Sequence, residues 1–447
     1  MRVIIVGAGS VGSHLAGHLS RENHDVTMIE KDRALVKTLQ DQLDILVLEG
    51  NGASPALLEK AGIERCDLLM AVTNSDETNM ITGLAAAQFN VPFKIARVSN
   101  TDYYLLDNWL NEKSLGLDLL INPDLQCALQ IKSLLEVPGA SDVAEFGGGQ
   151  VLLVGLTVQE RASCIGRSLQ EIRLKMDTID FLVVSITRAG ETIIPTGQTT
   201  MQAGDQAYMI CKKEALDQAY DFCGLTRKPV HRAMVLGGSK VAIYLCKMLE
   251  KAKIRGTLIE TKEELAEQLA GELDDTLVIQ GDATDVELLE QEGLNEVDAF
   301  LALTPDDEDN LLTGLIARNH RVPVVVALLE KLDYVPLVNK VGVTTAVSSR
   351  LAAVDTILKY VRRGNILSLA TLKNNRAEII EFIVTERCKL IDKPIKDLKI
   401  KPKILFGMIT RGREVFMPTG FSQLQVGDKV VVIGRPETQR QLESLFQ

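Results

Sequence analysis

The stretch VIIVGAGSVGSHL (Val3–Leu15) returns, altered but in register, as AMVLGGSKVAIYL (Ala233–Leu245). In each, an aliphatic run meets a glycine-bearing turn and then a helical pattern. The next aliphatic run closes on an acid, MIE (Met28–Glu30) in the first copy and LIE (Leu258–Glu260) in the second. Gly7 stands 230 positions before Gly237, and Glu30 the same 230 before Glu260. One glycine-rich loop is weak evidence for any function. Two in register, with different glycine content, point to a duplicated ligand sensor more than to an ordinary enzyme.

The repeat continues along the chain. In the first half the pattern predicts strand Val3–Val6, helix Ser10–Leu19, strand Val26–Ile29, helix Ala34–Gln40 and strand Ile45–Leu48. Helix Ser54–Lys60, strand Leu68–Val72, helix Met80–Phe89 and strand Lys94–Val98 follow. Strands alternating with helices read as a parallel sheet of five to six strands with right-handed crossovers. In the second half, Leu48–Asn79 is matched by Ile279–Asn310, with Gly50, Thr73, Asp76, Glu77 and Asn79 on Gly281, Thr304, Asp307, Glu308 and Asn310. A helical stretch follows each unit, Pro123–Glu136 and Arg350–Val361. A different kind of segment comes next. VLLVGLTVQER (Val151–Arg161) pairs with AEIIEFIVTER (Ala377–Arg387), IGRSLQEI (Ile165–Ile172) with IDKPIKDL (Ile391–Leu398), and IPTG…AGD (Ile194–Asp205) with MPTG…VGD (Met417–Asp428). Short strands, one helix and Gly/Pro turns predict a small α+β domain of about 80 residues. The fold class is therefore α/β: two Rossmann-like parallel-sheet domains, each followed by a small α+β domain. The expected divisions are 1–137, 138–224, 231–363 and 364–447, with Leu225–Val230 joining the halves.

Composition narrows the function classes. Of 447 residues, 46% are hydrophobic but only 4% aromatic, which suits buried parallel strands of Val, Ile, Leu and Ala. The net charge of −11, with no basic run, makes nucleic acid or anionic lipid a poor partner. The 7 cysteines are scattered and form no CxxC pair, so neither zinc nor a disulfide framework is indicated. No stretch approaches the ~18 apolar residues of a spanning helix, and strand one begins at once without a signal segment. A cytosolic chain is expected.

The first loop is Gly7-Ala8-Gly9-Ser10-Val11-Gly12. Gly7 permits the tight turn, Gly9 lets backbone approach a pyrophosphate, and Gly12 lets helix pack on strand, while helix-start amides face the negative charge. Glu30 accepts ribose hydroxyls and repels a 2′-phosphate, which favours NAD or an unphosphorylated adenosine ribose over NADP. The alternatives are a glycine loop used for packing and a solvated strand-end acid. The second loop, Gly237-Gly238-Ser239-Lys240-Val241, carries Ser239 where Gly9 stands and Ala242 where Gly12 stands. Glu260 is retained. This site either holds an adenosine with altered phosphate contacts or is an empty structural copy. Asn51 and Asp282 contact adenine or ribose, or form turns. Thr73 and Thr304 end strand four at the carboxyl edge where ligands sit. Arg97 ends strand five as a phosphate clamp or a surface cation, and Leu328 takes its place in the second half. His14, His18 and His24 lack partners positioned by sequence, so no metal site is expected. No GxSxG, HExxH or GxxxxGK[ST] occurs, and no catalytic group stands out.

GAGSVG with Glu30, EGNG (Glu49–Gly52), AVTNSDETN (Ala71–Asn79) and the IPTG…AGD segment, all duplicated, resemble the TrkA family. Its members are cytosolic regulatory subunits, with tandem RCK (KTN) domains, of Trk-type bacterial potassium uptake systems. The resemblance spans essentially the whole chain. It implies an RCK N-terminal and C-terminal domain in each half, and nucleotide sites for NAD(H) or ATP/ADP acting as signals. It also implies a homotetrameric ring held peripherally on the inner face of the membrane by a potassium-translocating subunit such as TrkH, gated by ligand state. Gly7, Gly9, Gly12, Glu30, Thr73 and Arg97 match the family's nucleotide-site pattern, and the second half departs at Ser239, Ala242 and Leu328. The competing reading is an NAD-dependent oxidoreductase with a duplicated Rossmann domain, against which the lack of an evident catalytic group argues.

Overall fold

Uninterrupted aliphatic runs become the strands at the centre of two parallel sheets. The computed structural model describes residues 1–100, 103, 112–175, 180–334, 338, 343, 345–361, 366–371, 377–398, 404–434 and 438–446. The expected boundary at residues 363 and 364 lies outside the described residues. In the first half the order is β1 Arg2–Val6, α1 Ser10–Arg21, β2 Asp25–Glu30, α2 Arg33–Gln42, β3 Leu46–Glu49, α3 Pro55–Lys60, β4 Leu68–Ala71, α4 Asp76–Gln88, β5 Phe93–Arg97, β6 Leu119–Ile121 and α5 Pro123–Glu136. The strands lie in the order β3-β2-β1-β4-β5-β6, all parallel. This is the doubly wound arrangement whose crevice opens at the carboxyl ends of the strands flanking the switch point, β1 and β4. Helix α4 begins four residues earlier than the apolar pattern predicts. Ser75 caps it by accepting the Thr78 N–H at 3.2 Å, and Asp76 and Glu77 sit favourably in its first turn.

The second half repeats the plan with β12 Arg232–Leu236, α8 Lys240–Lys251, β13 Arg255–Glu260, α9 Glu263–Glu272, β14 Leu277–Gln280, α10 Val286–Gln291, β15 Ala299–Ala302, α11 Asp307–Asn319, β16 Val324–Leu328 and β17 Thr345–Val347. Its sheet order is β14-β13-β12-β15-β16-β17.

Between and after these come two antiparallel sheets. The first holds β7 Val143–Phe146, β8 Val151–Thr157, β9 Phe181–Arg188, β10 Glu191–Ile193 and β11 Gln206–Lys212, with helices α6 Leu169–Lys175 and α7 Leu216–Phe222. The second holds β18 Ile366–Thr371, β19 Glu378–Ile383, β20 Ile404–Arg411, β21 Glu414–Phe416 and β22 Lys429–Gly434, followed by helix Gln439–Phe446. The expected single helix is two in the first of these domains, because Leu216, Ala219, Tyr220 and Phe222 give α7 a buried face. In the second domain the segment Ile391–Leu398, paired with the one where α6 begins, holds only a 3₁₀ turn, Ile395–Asp397. Helix α6 starts on a capping box: the Ser168 N–H and hydroxyl both reach Glu171 Oε2, at 2.8 and 2.9 Å. Pro394 stands at the equivalent cap position, and that box is lost. The duplicated AGD/VGD turns have a shared cause. Asp205 and Asp428, each 1% exposed, accept two hydrogen bonds apiece from Arg188 and Arg411 at 2.7–2.8 Å.

Contacts divide the chain into two units. The first is Met1–Leu129 with Ile243–Leu245 and Val347–Val361, and the second is Gln130–Ala242 with Cys246–Ala346 and Arg362–Gln447. In the first unit, helix Ser349–Val361 lies against α1. Its Ala353, Val354, Ile357 and Leu358 join Val11, Leu15 and Leu19 in one core, and the Tyr360 hydroxyl donates to the Asp118 carbonyl at 2.8 Å. In the second unit, the two antiparallel sheets share a core of Phe146, Leu153 and Tyr208 with Ile379, Met408 and Ile433. The Gly147 N–H donates across it to the buried Glu381 carboxylate at 2.8 Å. Among the described residues, no helix is long and apolar enough to cross a membrane.

Candidate functional site

The first glycine loop leaves β1 at the switch point of its sheet. Gly7 has φ +104°, and a Cβ there would come within 2.9 Å of the Thr73 backbone nitrogen. A Cβ on Gly12 would fall on the Gly7 carbonyl oxygen. Both glycines are thus demanded by the protein itself. Gly9 is different: its φ of −63° suits any residue, and a Cβ there would meet nothing within 4 Å. Nothing in the fold requires a glycine at that point, whereas a ligand backed against the loop would. Gly9 is also the N-cap of α1 and gives no side-chain cap hydrogen bond, and the first turn of α1 holds no acid. Uncapped helix-start amides form an anion-binding position.

Glu30 is 8% exposed. Its Oε2 accepts the Ala8 N–H at 2.6 Å, and its Oε1 accepts the Lys31 and Asp32 N–H groups at 2.7 and 2.9 Å. Those bonds use three of about four acceptor positions on a carboxylate, so one remains on Oε2 beside the loop. The side chain of Val11 belongs to the core, so only its backbone faces the loop. Ser10 and Gly9 are exposed. Asn51 makes an Asx turn, its Oδ1 accepting the Ala53 N–H at 3.0 Å. Arg97 is half-buried, with Nε donating to Ser99 Oγ at 3.2 Å.

The second loop has the same turn and different surroundings. Gly237 has φ +85° and packs on Thr304 as Gly7 packs on Thr73. Glu260, also 8% exposed, accepts the Gly238 N–H at 2.6 Å and the Lys262 N–H at 2.8 Å. Ser239, at the Gly9 position, caps its own helix: its Oγ accepts the Ala242 N–H at 3.3 Å. One helix-start amide is therefore satisfied internally. Gly238 stands where the first loop has Ala8, and a Cβ there would press on Leu269, Leu265 and Glu260 at 2.7–3.0 Å. Lys240 is exposed at the helix start, and the Val241 side chain is buried. Asp282 Oδ1 accepts the N–H and hydroxyl of Thr284 at 2.9 and 2.8 Å, and these bonds hold its carboxyl below the ordinary aspartate range. Leu328, at the Arg97 position, is 6% exposed. Beside it, Glu308 accepts from Lys331 Nζ at 2.7 Å and the Tyr334 hydroxyl at 2.8 Å, which lowers its carboxyl to about 2.

One residue that sequence reasoning noticed only as a match proves central to each sheet edge. Asn79 is fully buried. Its Oδ1 accepts the Thr73 N–H at 2.9 Å and hydroxyl at 2.7 Å, and its Nδ2 donates to the carbonyls of Thr73 and Arg97 at 3.1 and 2.9 Å. Asn310 makes the same four bonds to Thr304 and Leu328. The signal was an Asn six residues after a strand-ending Thr in both copies. Asp76 likewise accepts the Ser99 and Asn100 N–H groups at 2.8–3.0 Å.

Among the other candidates, His18 and His24 both reach Glu22, at 3.4 and 3.6 Å, and burial beside Arg350 lowers the His14 imidazole below its ordinary value. Among the described residues no group of His, Cys, Asp or Glu converges as a metal set. All seven cysteines are buried, and burial pushes the Cys211 thiol up to about 12, so these side chains behave as small hydrophobes.

Comparison with known proteins shows the family and the fold. The family model of the TrkA-N domain matches residues 3–123 and 233–349, and that of the TrkA-C domain matches 153–224 and 379–447. The chain is 34% identical to the Trk system potassium uptake protein TrkA homolog of Archaeoglobus fulgidus, over 100% of both. It is also 34% identical to the Trk system potassium uptake protein TrkA of Halomonas elongata, over 100% of this chain and 99% of that one. Among solved structures, the GsuK channel bound to NAD superposes with a TM-score of 0.62 at 16% identity, covering 100% of this chain and 78% of that one. This last likeness shows the fold.

Proposed function

The chain belongs to the TrkA family of Trk-system potassium uptake proteins, and from that premise we propose that it is a cytosolic, nucleotide-sensing regulatory subunit. Its primary sensor is the first glycine loop. The observation that carries this reading is Gly9, a glycine that the fold does not need, standing at an uncapped helix start. In this reading the backbone of Gly7, Ala8, Gly9, Ser10, Val11 and Gly12 cradles the pyrophosphate of NAD(H), Glu30 takes a ribose hydroxyl, and Arg97 clamps the phosphates. Asn51 and Thr73 border the ligand. ATP or ADP competes for the same cradle. The NAD in the GsuK structure supports the choice of nucleotide.

Gly237, Gly238, Ser239, Lys240, Val241, Glu260, Asp282 and Thr304 form the second, modified site, which holds a nucleoside less well or not at all. The divisions proposed for these domains are 1–137, 138–224, 231–363 and 364–447. In this reading the ligand is a signal and not a substrate, which the relatives' names as potassium uptake proteins support. Its binding shifts a homotetrameric ring between states, by as much as its affinities for the two states differ. That shift gates a membrane potassium-translocating partner similar to TrkH, which holds the ring peripherally on the membrane. The names of the relatives support a potassium-uptake partner.

Calorimetry of the full chain with NADH, ATP and ADP tests the sensor. One of them is expected to bind at micromolar strength, and Glu30→Ala to weaken it about tenfold. Unchanged affinity in Glu30→Ala removes Glu30 from the site. Steady loss of absorbance at 340 nm with a panel of small carbonyl substrates would instead favour the oxidoreductase.

A further inference from the structure

We propose that Asn79 is a positioning residue of the first nucleotide site, setting where Arg97 leaves the sheet edge so that its guanidinium meets the ligand's phosphates without rearrangement. This rests on the nucleotide reading above and goes beyond it by assigning a residue that touches no ligand.

The argument begins with saturation. A side-chain amide has two acceptor lone pairs and two donors, and Asn79 uses all four on two backbone segments. Three bonds go to Thr73, the residue against which Gly7 turns. The fourth goes to the Arg97 carbonyl on the neighbouring strand. The amide thereby ties the ends of β4 and β5 together at full burial, where a lost partner is costly. Beyond that tie the path is also fixed. Asp76 holds the Ser99 and Asn100 amides, and Ser99 Oγ accepts Arg97 Nε. Both ends of Arg97 are thus placed: its carbonyl by Asn79, and its guanidinium by a loop that Asp76 holds. A clamp held in position in advance loses less ordering entropy on binding.

The second half supplies the internal control. Asn310 ties Thr304 to Leu328 with the same four bonds at 2.8–3.0 Å. The contribution of the staple to folding is therefore common to both halves. Only in the first half does it carry a cation.

The test is NADH and ADP titration of the full chain, with melting temperatures, for wild type, Asn79→Asp, Asn310→Asp, Arg97→Ala and the Asn79→Asp/Arg97→Ala pair. Asparagine to aspartate keeps the shape and both acceptor roles, but it turns the donor toward two carbonyls into a third oxygen. Asn79→Asp is expected to weaken binding about tenfold, and Asn310→Asp less than about twofold, with similar losses in melting temperature. The pair is expected to bind within about twofold of Arg97→Ala alone, because the two act through one contact. At pH 5.5, protonation of the introduced carboxylate restores one donor, so Asn79→Asp is expected to recover affinity relative to wild type at the same pH. If Asn79→Asp does not fold, Asn79→Ala, which removes both amide donors without adding a charge, replaces it in the series, with Asn310→Ala as its control. Equal effects at the two asparagines, or multiplied losses in the pair, overturn the positioning role while leaving the site intact. A wild-type chain that binds neither nucleotide overturns the site itself.

Discussion

The two glycine loops share a turn and differ in what surrounds it. Both have a left-handed first glycine packed on a threonine, and both have a buried glutamate that accepts a loop amide at 2.6 Å. The first loop then stays open: Gly9 faces empty space, and no side chain caps α1. In the second loop, Ser239 satisfies a helix amide, and Leu265 and Leu269 crowd Gly238. The turn and the glutamate's hold on a loop amide are common to both loops, so neither by itself distinguishes the proposed site. The open cap and Arg97 are what the proposed site adds in the first half. A duplicated motif is best divided this way, by asking of each residue whether the protein or a ligand demands it.

Four experiments sharpen or break that comparison. The largest effect is expected at the packing glycine. Gly12→Ala drives a methyl into the Gly7 carbonyl and should cost about 1–3 kcal/mol of unfolding free energy and most nucleotide binding. Ala242→Gly at the matching position should cost only about 1 kcal/mol, through helix propensity. Denaturant melts measure both, and equal losses would mean the two loops pack alike.

Next comes Gly9→Ser, which transplants the self-cap of Ser239. Nucleotide affinity should fall about 10- to 100-fold while stability changes by less than about 0.5 kcal/mol. A large stability loss would show that the fold needs this glycine after all. Smaller is the exchange of the clamp. Arg97→Leu should weaken binding about tenfold at roughly 50 mM salt and less at roughly 300 mM, since a charge contact is screened. A salt-independent loss would make Arg97 a packing residue.

The smallest effect concerns pH. His14 of α1 corresponds in register to Tyr244 of α8. The folded state holds the His14 imidazole below its ordinary 6.5, chiefly through burial and secondly through Arg350. The unfolded chain thus binds the proton first as pH falls. Stability should be complete above about pH 6.5 and decline below it toward the lowered folded value. His14→Gln should reduce the drop in melting temperature between pH 7.5 and 5.5, whereas Tyr244→Phe should leave that drop unchanged.

Much of this was legible in the chain. Aliphatic runs such as Val3–Val6 and Leu68–Val72 can only be buried strands, and glycines between them and polar helix starts mark the crossovers. The loops and their acids follow from the same pattern. Other features were not legible. In the sequence Ser239 is only a departure from Gly9, but a hydroxyl at a helix start can turn back onto an amide, and only the folded structure shows that it does. Asn79 looked like an ordinary polar residue in a repeated stretch, because the four groups it satisfies lie 6 and 18 positions away on two strand ends. In the second copy Pro394 stands where Ser168 opens the capping box of α6, and only a 3₁₀ turn forms there.

The amino-acid pattern alone set most of the local order: the strands of both parallel sheets, most of their helices, where the chain turns, and which acid ends each second strand. Those choices depend on neighbours within a few residues, through propensity, periodicity and glycine geometry. Tertiary structure alone decided which surfaces meet. Helix Ser349–Val361 follows the second parallel sheet in the chain yet buries Ala353, Val354 and Ile357 against α1 of the first. Its apolar face fits any similar apolar face, so sequence pattern cannot choose between two homologous sheets, and only packing in three dimensions does.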